Sequence, residues 1–316
     1  MVSARLESLF RTLQAYAPLL AIGGRAASVT PVALRYGTVS FLSDYGLRDE
    51  FVGVTKSVVW AGAPDVRIVD VTHDIASHDV RAGGLALARA AQYLNPGVVL
   101  AVVDPGVGSD RKGIAVEVGD GMSVLIGPDN GLLAPAVALV GGASRAFDIS
   151  NSSARMPAAG PTFDGRDLFA PVAAQLCLGV PLEDLGTEIE PSQLMPAVVP
   201  VSEREGDEIV AEVLWIDRFG NCQLNLDPDE LGTDSTWRLM VDERPRPVRK
   251  ATTFDEIASG EIGLIIDSYG MLALVAHRSS AARDLGLREG SIVRLAARGS
   301  APAGVTTPVE LERRDR

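Results

Sequence analysis

Histidine and cysteine are scarce in this chain, and their scarcity limits the chemistry that it can perform. The 316 residues include three histidines and two cysteines, Cys177 and Cys222. The sequence contains no CxxC pair, no HExxH motif and no other Cys/His spacing suited to a metal. We therefore predict no metal centre, and we interpret the cysteines as buried thiols of a reduced, cytoplasmic protein.

Basic charge and long apolar segments are also lacking. The net charge of −12 argues against a nucleic acid or an anionic membrane as partner, because attraction to phosphate requires a basic face. No stretch approaches the roughly 18 uninterrupted apolar residues of a membrane span. Residues 6–22 are apolar at helical spacing, but Glu7, Arg11 and Gln14 interrupt them. We interpret this segment as an amphipathic extension, with an export signal as the alternative.

In the N-terminal half, short apolar segments alternate with helical patterns. This alternation is typical of an α/β domain with a largely parallel sheet. The predicted strands are 38–42, 66–71, 98–103, 114–118 and 123–126, and the predicted helices are 49–61, 80–94 and 168–178.

From about Pro191 onwards the helical spacing fades and short β-type segments separated by turn residues dominate. This pattern predicts a C-terminal all-β domain, either a small antiparallel barrel or a sandwich. The predicted division is an N-terminal extension at 1–36, an α/β ligand-binding domain at 37–192, a linker at 193–207, a β-barrel domain at 208–299 and a flexible tail at 300–316.

Four polar clusters directly follow predicted strands or precede a predicted helix, at 43–49, 104–111, 127–131 and 162–167. Because ligands bind at the carboxyl ends of strands in open parallel sheets, these clusters predict one shared site. Each cluster could instead be an ordinary turn, since Asp, Pro, Asn and Gly are turn residues. The clusters are rich in carboxylates, and the chain lacks both GxGxxG after a first strand and a P-loop. A cationic ligand or one with a sugar diol would suit such a site.

Six motifs occur in a fixed order along the chain. They are Ser-Asp-Tyr-Gly at 43–46, Val-Asp-Val-Thr-His at 69–73, Asp-Pro-Gly-Val-Gly-x-x-Arg at 104–111, Gly-Pro-Asp-Asn-Gly-Leu at 127–132, Thr-Phe-x-Gly-Arg-Asp at 162–167 and Ile-Asp-x-Phe-Gly-Asn at 216–221. This ordered set resembles the S-adenosylmethionine (SAM) hydroxide adenosyltransferases, adenosine-forming SAM hydrolases related to the fluorinase and chlorinase enzymes. The resemblance covers about residues 38–295.

The resemblance implies an α/β domain followed by a β-barrel, assembled as a homotrimer. It places the sites between the N-terminal domain of one subunit and the C-terminal domain of the next. SAM would be the substrate, no cofactor would be needed, and neither a nucleic acid nor a membrane would be a partner.

The resemblance also implies roles for individual substrate-binding residues. Asp44 would hold the ribose hydroxyls and Asp49 would lie near the methionine end, with Phe163 close by. The residues expected from the C-terminal domain are Asp217 and Ser268 for the methionine amino group, Phe219, Asn221 and the backbone near Arg278 for adenine, and Tyr269 beside Ser268. The segments 217–221 and 268–270 could instead be simple hairpin turns.

The resemblance further implies that Asp, Arg and His activate water in the hydrolase branch. Asp104 and Arg111 match the first two, whereas Asp164 stands in the position of the histidine. Asp164 could act as a general base, or it could form an ion pair with Arg111 or Arg166. The expected reaction is in-line displacement of methionine from C5′ by water. The alternatives are another nucleophile at the same carbon, or a non-catalytic protein that binds SAM or adenosine.

Overall fold

The computed structural model describes residues 33–232, 235–242 and 244–297. The chain divides between Val198 and Val199 into two compact units, which are described separately below. No helix in the described ranges is both long and apolar enough to cross a membrane. Most of the predicted extension and all of the predicted tail lie outside the described residues.

The first unit is built on a seven-stranded sheet in the order β2-β1-β3-β5-β4-β6-β7. Its strands are β1 (Thr38–Ser43), β2 (Arg67–Thr72), β3 (Val98–Val102), β4 (Gly113–Val118), β5 (Ser123–Pro128), β6 (Ala143–Asp148) and β7 (Thr187–Ile189). Strands β2, β1, β3 and β5 pair in parallel, whereas β4 pairs antiparallel with both β5 and β6, and β7 pairs antiparallel with β6. Five of these seven strands therefore run in one direction, which confirms the predicted α/β class.

Helices cover both faces of this sheet, as the all-apolar sequence of β3 requires. Val98, Leu100 and Val102 of β3 pack into one hydrophobic core. The alternate residues Val99 and Ala101 pack into a second core on the opposite face. The helices are α1 (Phe51–Gly62), α2 (Val80–Ala91), α3 (Ala134–Leu139), α4 (Ala170–Cys177) and α5 (Leu182–Leu185). Helices α1 and α4 contribute to the first core, and α2 and α3 to the second.

The structure differs from the predicted elements of this unit in several places, and helices α3 and α5 were not predicted. Strands β6 and β7 were not predicted. The helix predicted at 168–178 begins earlier, as a π-helical turn at Gly165–Phe169 that continues into α4. The chain also joins the fold before residue 37, because Tyr36 is buried and its hydroxyl donates to the Gly121 carbonyl at 3.0 Å. The fold therefore includes residues that the sequence assigned to the extension.

The second unit is a β-barrel, one of the two all-β architectures that the sequence predicted. It is not wholly antiparallel, because Val248–Lys250 pairs in parallel with Ile262–Leu264. Its strands are β8 (Glu203–Glu205), β9 (Glu208–Ile216), β10 (Cys222–Leu224), β11 (Thr236–Val241), β12 (Arg244–Lys250), β13 (Ile262–Ile266), β14 (Leu272–Ala276) and β15 (Ile292–Ala297). The order is β10-β14-β13-β12-β11-β15-β9-β8, and pairing of β9 with β10 closes a seven-stranded ring. Strand β8 lies within the segment predicted as linker, and the short helix α6 (Ala281–Leu285) follows β14.

Candidate active site

A cavity of about 600 Å³ lies in the first unit and is lined by residues that follow the carboxyl ends of β1 and β3. Its size is within the range of small-molecule sites. Of the residues predicted from the sequence, the cavity is lined by Asp44, Asp49, Asp104, Phe163 and Asp164. Three of the four predicted polar clusters therefore meet at one place.

The fourth cluster has a structural role instead. Asn130 donates from its amide to the Val103 carbonyl at 2.9 Å, which secures the end of β3. Asp129 accepts a hydrogen bond from the Met195 amide at 2.8 Å. For this cluster the turn interpretation describes the contacts.

Asp44 directly follows β1, and two hydrogen bonds hold it in place. Its amide donates to the Val102 carbonyl at 3.3 Å, and its Oδ2 accepts from the His78 amide at 2.9 Å. His78 has a φ of 70°, a conformation that residues other than glycine rarely adopt. No sequence motif indicates this contact, because it uses the backbone of His78 rather than its imidazole.

Four charged side chains form a continuous chain beside the cavity. Arg111 forms a bidentate ion pair with Asp104, in which Nε donates to Oδ1 at 2.9 Å and Nη2 donates to Oδ2. The same Nη2 also donates to Oδ2 of Asp164 at 2.7 Å. Arg155 donates from Nη1 to the other oxygen of Asp164, also at 2.7 Å. The side chains of Asp104, Asp164 and Arg111 are 6%, 8% and 11% exposed. Charged groups so buried are tolerated only when they are paired, and here every one of them is.

The electrostatics of this chain of charges follow from burial and pairing. Burial raises the pKa of Asp104, and its ion pair with Arg111 offsets only part of that effect. Burial disfavours the charge of Arg111, but its bonds to Asp104 and Asp164 outweigh burial and raise its pKa. Arg166, the other predicted partner of Asp164, pairs instead with Asp167 at 2.5 Å.

Three aromatic rings pack edge to face at the cavity. Tyr45 lies 5.6 Å from Phe163 and 5.9 Å from Phe51, measured between ring centroids, and Phe51 lies 5.2 Å from Phe163. Burial raises the pKa of Tyr45, so its hydroxyl stays neutral. Neither Tyr45 nor Phe51 was predicted as a site residue, although Tyr45 belongs to the first motif.

His73 stabilises the loop after β1 and does not line the cavity. Its Nδ1 lies 2.8 Å from the Ser43 hydroxyl, its Nε2 lies 3.2 Å from Asp70, and its carbonyl accepts from the Gly46 amide at 2.7 Å. The histidine of the second motif therefore positions the residues on either side of Asp44.

The second unit has its own cavity, of about 680 Å³. Phe219, Asn221 and Arg278, three of the residues predicted to hold adenine or to lie near it, line this cavity together. Phe219 is 76% exposed. Arg278 has a φ of 52°, in a tight turn after β14.

Asp217 is engaged in its own turn. Its Oδ1 accepts from the amides of Phe219 and Asn221 at 2.8 and 2.9 Å, and its Oδ2 accepts from the Asn221 side chain at 2.7 Å. The turn interpretation from the sequence accounts for these contacts. The predicted bond of Asp217 to an amino group stays a prediction.

A second turn repeats this geometry at Asp267. Its Oδ1 accepts from the amides of Tyr269 and Met271 at 2.8 and 3.1 Å, and its Oδ2 accepts from Gln223 at 2.5 Å. Ser268 and Tyr269 lie at the tip of this turn and do not line the cavity that contains Phe219. Their role in substrate binding also stays a prediction.

Two family models match the chain, one to each unit. The model described as the SAM hydroxide adenosyltransferase N-terminal domain matches residues 39–186, and the C-terminal domain model matches residues 211–294. The chain belongs to the SAM hydroxide adenosyltransferase family. The resemblance seen in the ordered motifs is thereby confirmed.

Relatives in this family share much of the chain. A protein of Salinispora tropica named (R)-S-adenosyl-L-methionine hydrolase is 43% identical, over 82% of this chain and 97% of its own length. A protein of the same name from Thermus thermophilus is 42% identical, over 81% and 98%. A fluorinase of Actinopolyspora mzabensis is a more distant relative at 26% identity, over 81% and 96%. The solved structure of an uncharacterized conserved protein from Thermotoga maritima is 31% identical with a TM-score of 0.76, and covers 82% of this chain and 99% of its own.

Asp164 is the residue at which this member of the SAM hydroxide adenosyltransferase family differs from what the motif resemblance implied. Asp164 replaces the expected histidine, and the structure pairs this carboxylate with both Arg111 and Arg155. The described ranges contain no group of three or more His, Cys, Asp or Glu side chains arranged to hold a metal ion.

Proposed function

We propose that this enzyme hydrolyses SAM at C5′ to adenosine and L-methionine. The observation that carries the proposal is the buried Asp104–Arg111 pair beside a cavity that Asp44 also lines. The relatives named SAM hydrolase, at 42% and 43% identity, support the same reaction.

The reaction balances without any further reactant. A water oxygen forms a bond to C5′, the C5′–S bond breaks, and its electron pair stays on sulfur, which leaves as the neutral thioether of methionine. One proton of the water is released. Attack by a hydroxide-like oxygen on a sulfonium cancels charge, so a cavity with little water favours the step.

We assign roles to the residues that border the cavity. Asp44 holds the ribose diol, since a fixed carboxylate offers two acceptor oxygens to two hydroxyls. Asp104 orients the water and accepts its proton, a role favoured by the raised pKa of this buried carboxyl. Arg111, which pairs with Asp104 and Asp164, fixes Asp104 and stabilises negative charge on the oxygen.

We further propose that the preferred substrate is the (R) epimer at sulfur, because the relatives from Salinispora and Thermus carry that epimer in their names. The aromatic rings of Tyr45, Phe51 and Phe163 provide an apolar wall against which the two epimers would present different substituents.

The decisive experiment incubates the purified protein with each SAM epimer in heavy-oxygen water, with and without halide. Adenosine with the heavy oxygen at C5′, formed faster from the (R) epimer, is the expected product. A halogenated deoxyadenosine would identify another nucleophile, and unchanged SAM with saturable binding would identify a binding protein. Arg111→Gln should abolish turnover, whereas Arg145→Gln, which removes an arginine outside the cavity, should not.

We also propose a homotrimer, as the family resemblance implies, because the predicted substrate residues are distributed over both units. Light scattering that finds a fully active monomer would contradict it. A cytoplasmic location is part of the proposal as well, since Cys177 and Cys222 are buried free thiols.

A further inference from the structure

We propose that Arg155 is a positioning residue for the reaction, which acts through Asp164 to hold Arg111 and Asp104 in their working geometry. This inference rests on the proposed hydrolysis and names a residue outside all six sequence motifs. It also assigns Asp164 to an ion-pair bridge between two guanidinium groups rather than to proton abstraction.

The contact between Arg155 and Asp164 is built by the fold. Arg155 donates from Nε to the Ser150 carbonyl at 3.2 Å, which orients its guanidinium group. The segment that carries it is fixed at both ends, since the Gly113 amide donates to the Ser150 hydroxyl at 2.9 Å and the Met156 amide donates to the Asp167 carbonyl at 2.8 Å. An arginine anchored in this way loses little additional freedom when it pairs with Asp164.

Charge balance explains why this arginine is needed. Asp104 and Asp164 bring two negative charges into a space where both side chains are less than a tenth exposed. Arg111 alone can neutralise one of them, and it already uses Nε and Nη2 on Asp104. Arg155 neutralises the second carboxylate, so the group of four has no net charge. An unpaired buried carboxylate is strongly unfavourable.

The same geometry disfavours Asp164 as the base. Its Oδ1 accepts from Arg155 and its Oδ2 accepts from Arg111, each at 2.7 Å. A proton taken up by Asp164 would disrupt its charge-assisted bonds to two arginines, whereas a proton taken up by Asp104 would affect its pair with Arg111 alone. Protonation of Asp164 would also leave Nη2 of Arg111 bonded to Asp104 alone. The fixed role of this carboxylate is therefore to hold the two arginines.

A double-mutant cycle tests the proposal. The variants are Arg155→Gln, Asp164→Asn and their combination, each assayed for adenosine release and thermal unfolding. Arg155→Gln should lower kcat about tenfold, a typical coupling between paired charges, with KM within about twofold of wild type. In the Asp164→Asn background the same change should alter kcat by less than about twofold, because the carboxylate that pairs with Arg155 has already been replaced by a neutral amide. Arg155→Lys should recover most of the loss.

Arg145→Gln is the matched control. The side chains of Arg145 and Arg155 are 33% and 35% exposed, and both lie in ion pairs of the first unit, but Arg145 pairs with Glu183 and Glu188 away from the cavity. It should leave kcat unchanged. If Arg155→Gln fails to fold, Arg155→Met, which also removes the charge, gives the same comparison alone and in the Asp164→Asn background.

The outcomes separate the two proposals. Equal losses of kcat on removing Arg155 with and without Asp164 would overturn the positioning role. A loss of about 10²–10⁴-fold in Asp164→Asn would return Asp164 to the role of general base and also overturn it. A wild-type protein that releases no adenosine would overturn the hydrolase function, and coupling in thermal unfolding would then decide whether the charge pairing holds.

Discussion

The hydroxyl of Tyr45 occupies the space that a Cβ on Gly165 would need. Gly165 opens the π-helical turn directly after Asp164, so the two motifs that flank the cavity contact each other through this glycine. The close approach fixes the ring of Tyr45 against Phe163 and the loop after β1.

The first prediction follows from this contact. Gly165→Ala should lower kcat/KM by about 10²-fold, because the tyrosine must shift by about 1 Å or more and the cavity wall shifts with it. Steady-state assays of adenosine release measure the effect. Gly53→Ala in helix α1, where an added Cβ meets nothing within 4 Å, is the control and should retain full activity.

The second prediction concerns Asp44. Asp44→Ala should weaken SAM binding by about 10- to 100-fold, since hydrogen bonds to a charged group contribute about 1.5–3 kcal/mol. Calorimetric titration measures the affinity. Asp74→Ala removes an exposed carboxylate from the next loop and should bind normally. Normal binding by Asp44→Ala would remove Asp44 from the ribose site.

The third prediction is a pH dependence. Turnover needs Asp104 ionised, and burial raises the pKa of this carboxyl. As the pH falls through that raised pKa the group takes up a proton and kcat drops, so the decline should begin at a higher pH than for an ordinary carboxyl. A pH–rate profile of the wild type measures this decline of kcat at acidic pH, its acid limb. If Asp104→Asn retained both its activity and the same acid limb, another group would be responsible.

The fourth prediction concerns the thiols. Burial raises the pKa of both Cys177 and Cys222 to about 12, so almost no thiolate is present near neutral pH. Both should resist alkylation in the native protein and react once it is denatured. Because one cysteine lies in each unit, mass spectrometry of partly denatured samples reports which unit opens first. Fast labelling of either thiol in the native state would contradict the buried interpretation.

The fifth prediction separates the extension from the fold. A chain that begins at Ala33 should retain activity and its melting temperature. One that begins at Gly37 loses the buried ring of Tyr36 and the bond from the Arg35 amide to the Cys177 carbonyl. Its free energy of unfolding should fall by about 3 kcal/mol, the cost of removing a buried aromatic side chain. Denaturant titration of both chains provides the comparison.

The sequence predicted those elements whose pattern is local. Strand β3 is apolar throughout and is found where predicted. Strand β12 contains Pro245 and Pro247, which disfavour a strand, yet both pair across to β11. Whether a strand tolerates proline depends on which strands it pairs with, and a single sequence does not reveal those partners.

The same limit applies to the site. Asp104 and Arg111 were identifiable because they lie seven positions apart in one motif. Arg155 has no motif, and only the path of the chain between β6 and α4 brings it to Asp164. His78 contributes a backbone amide, which any residue other than proline would supply, so no side-chain pattern could have indicated it.

Two turns of the barrel, at Asp217 and Asp267, share one backbone geometry although their side chains differ. In both, an aspartate binds the amides two and four positions later, and a glycine with a φ of 86° or 82° completes the turn. The two residues between aspartate and glycine are Arg218 and Phe219 in one turn, and Ser268 and Tyr269 in the other. The hydrogen bonds from each aspartate to the backbone amides do not depend on the side chains of these intervening residues. These bonds therefore permit sequence change at the intervening positions while the turn keeps its shape.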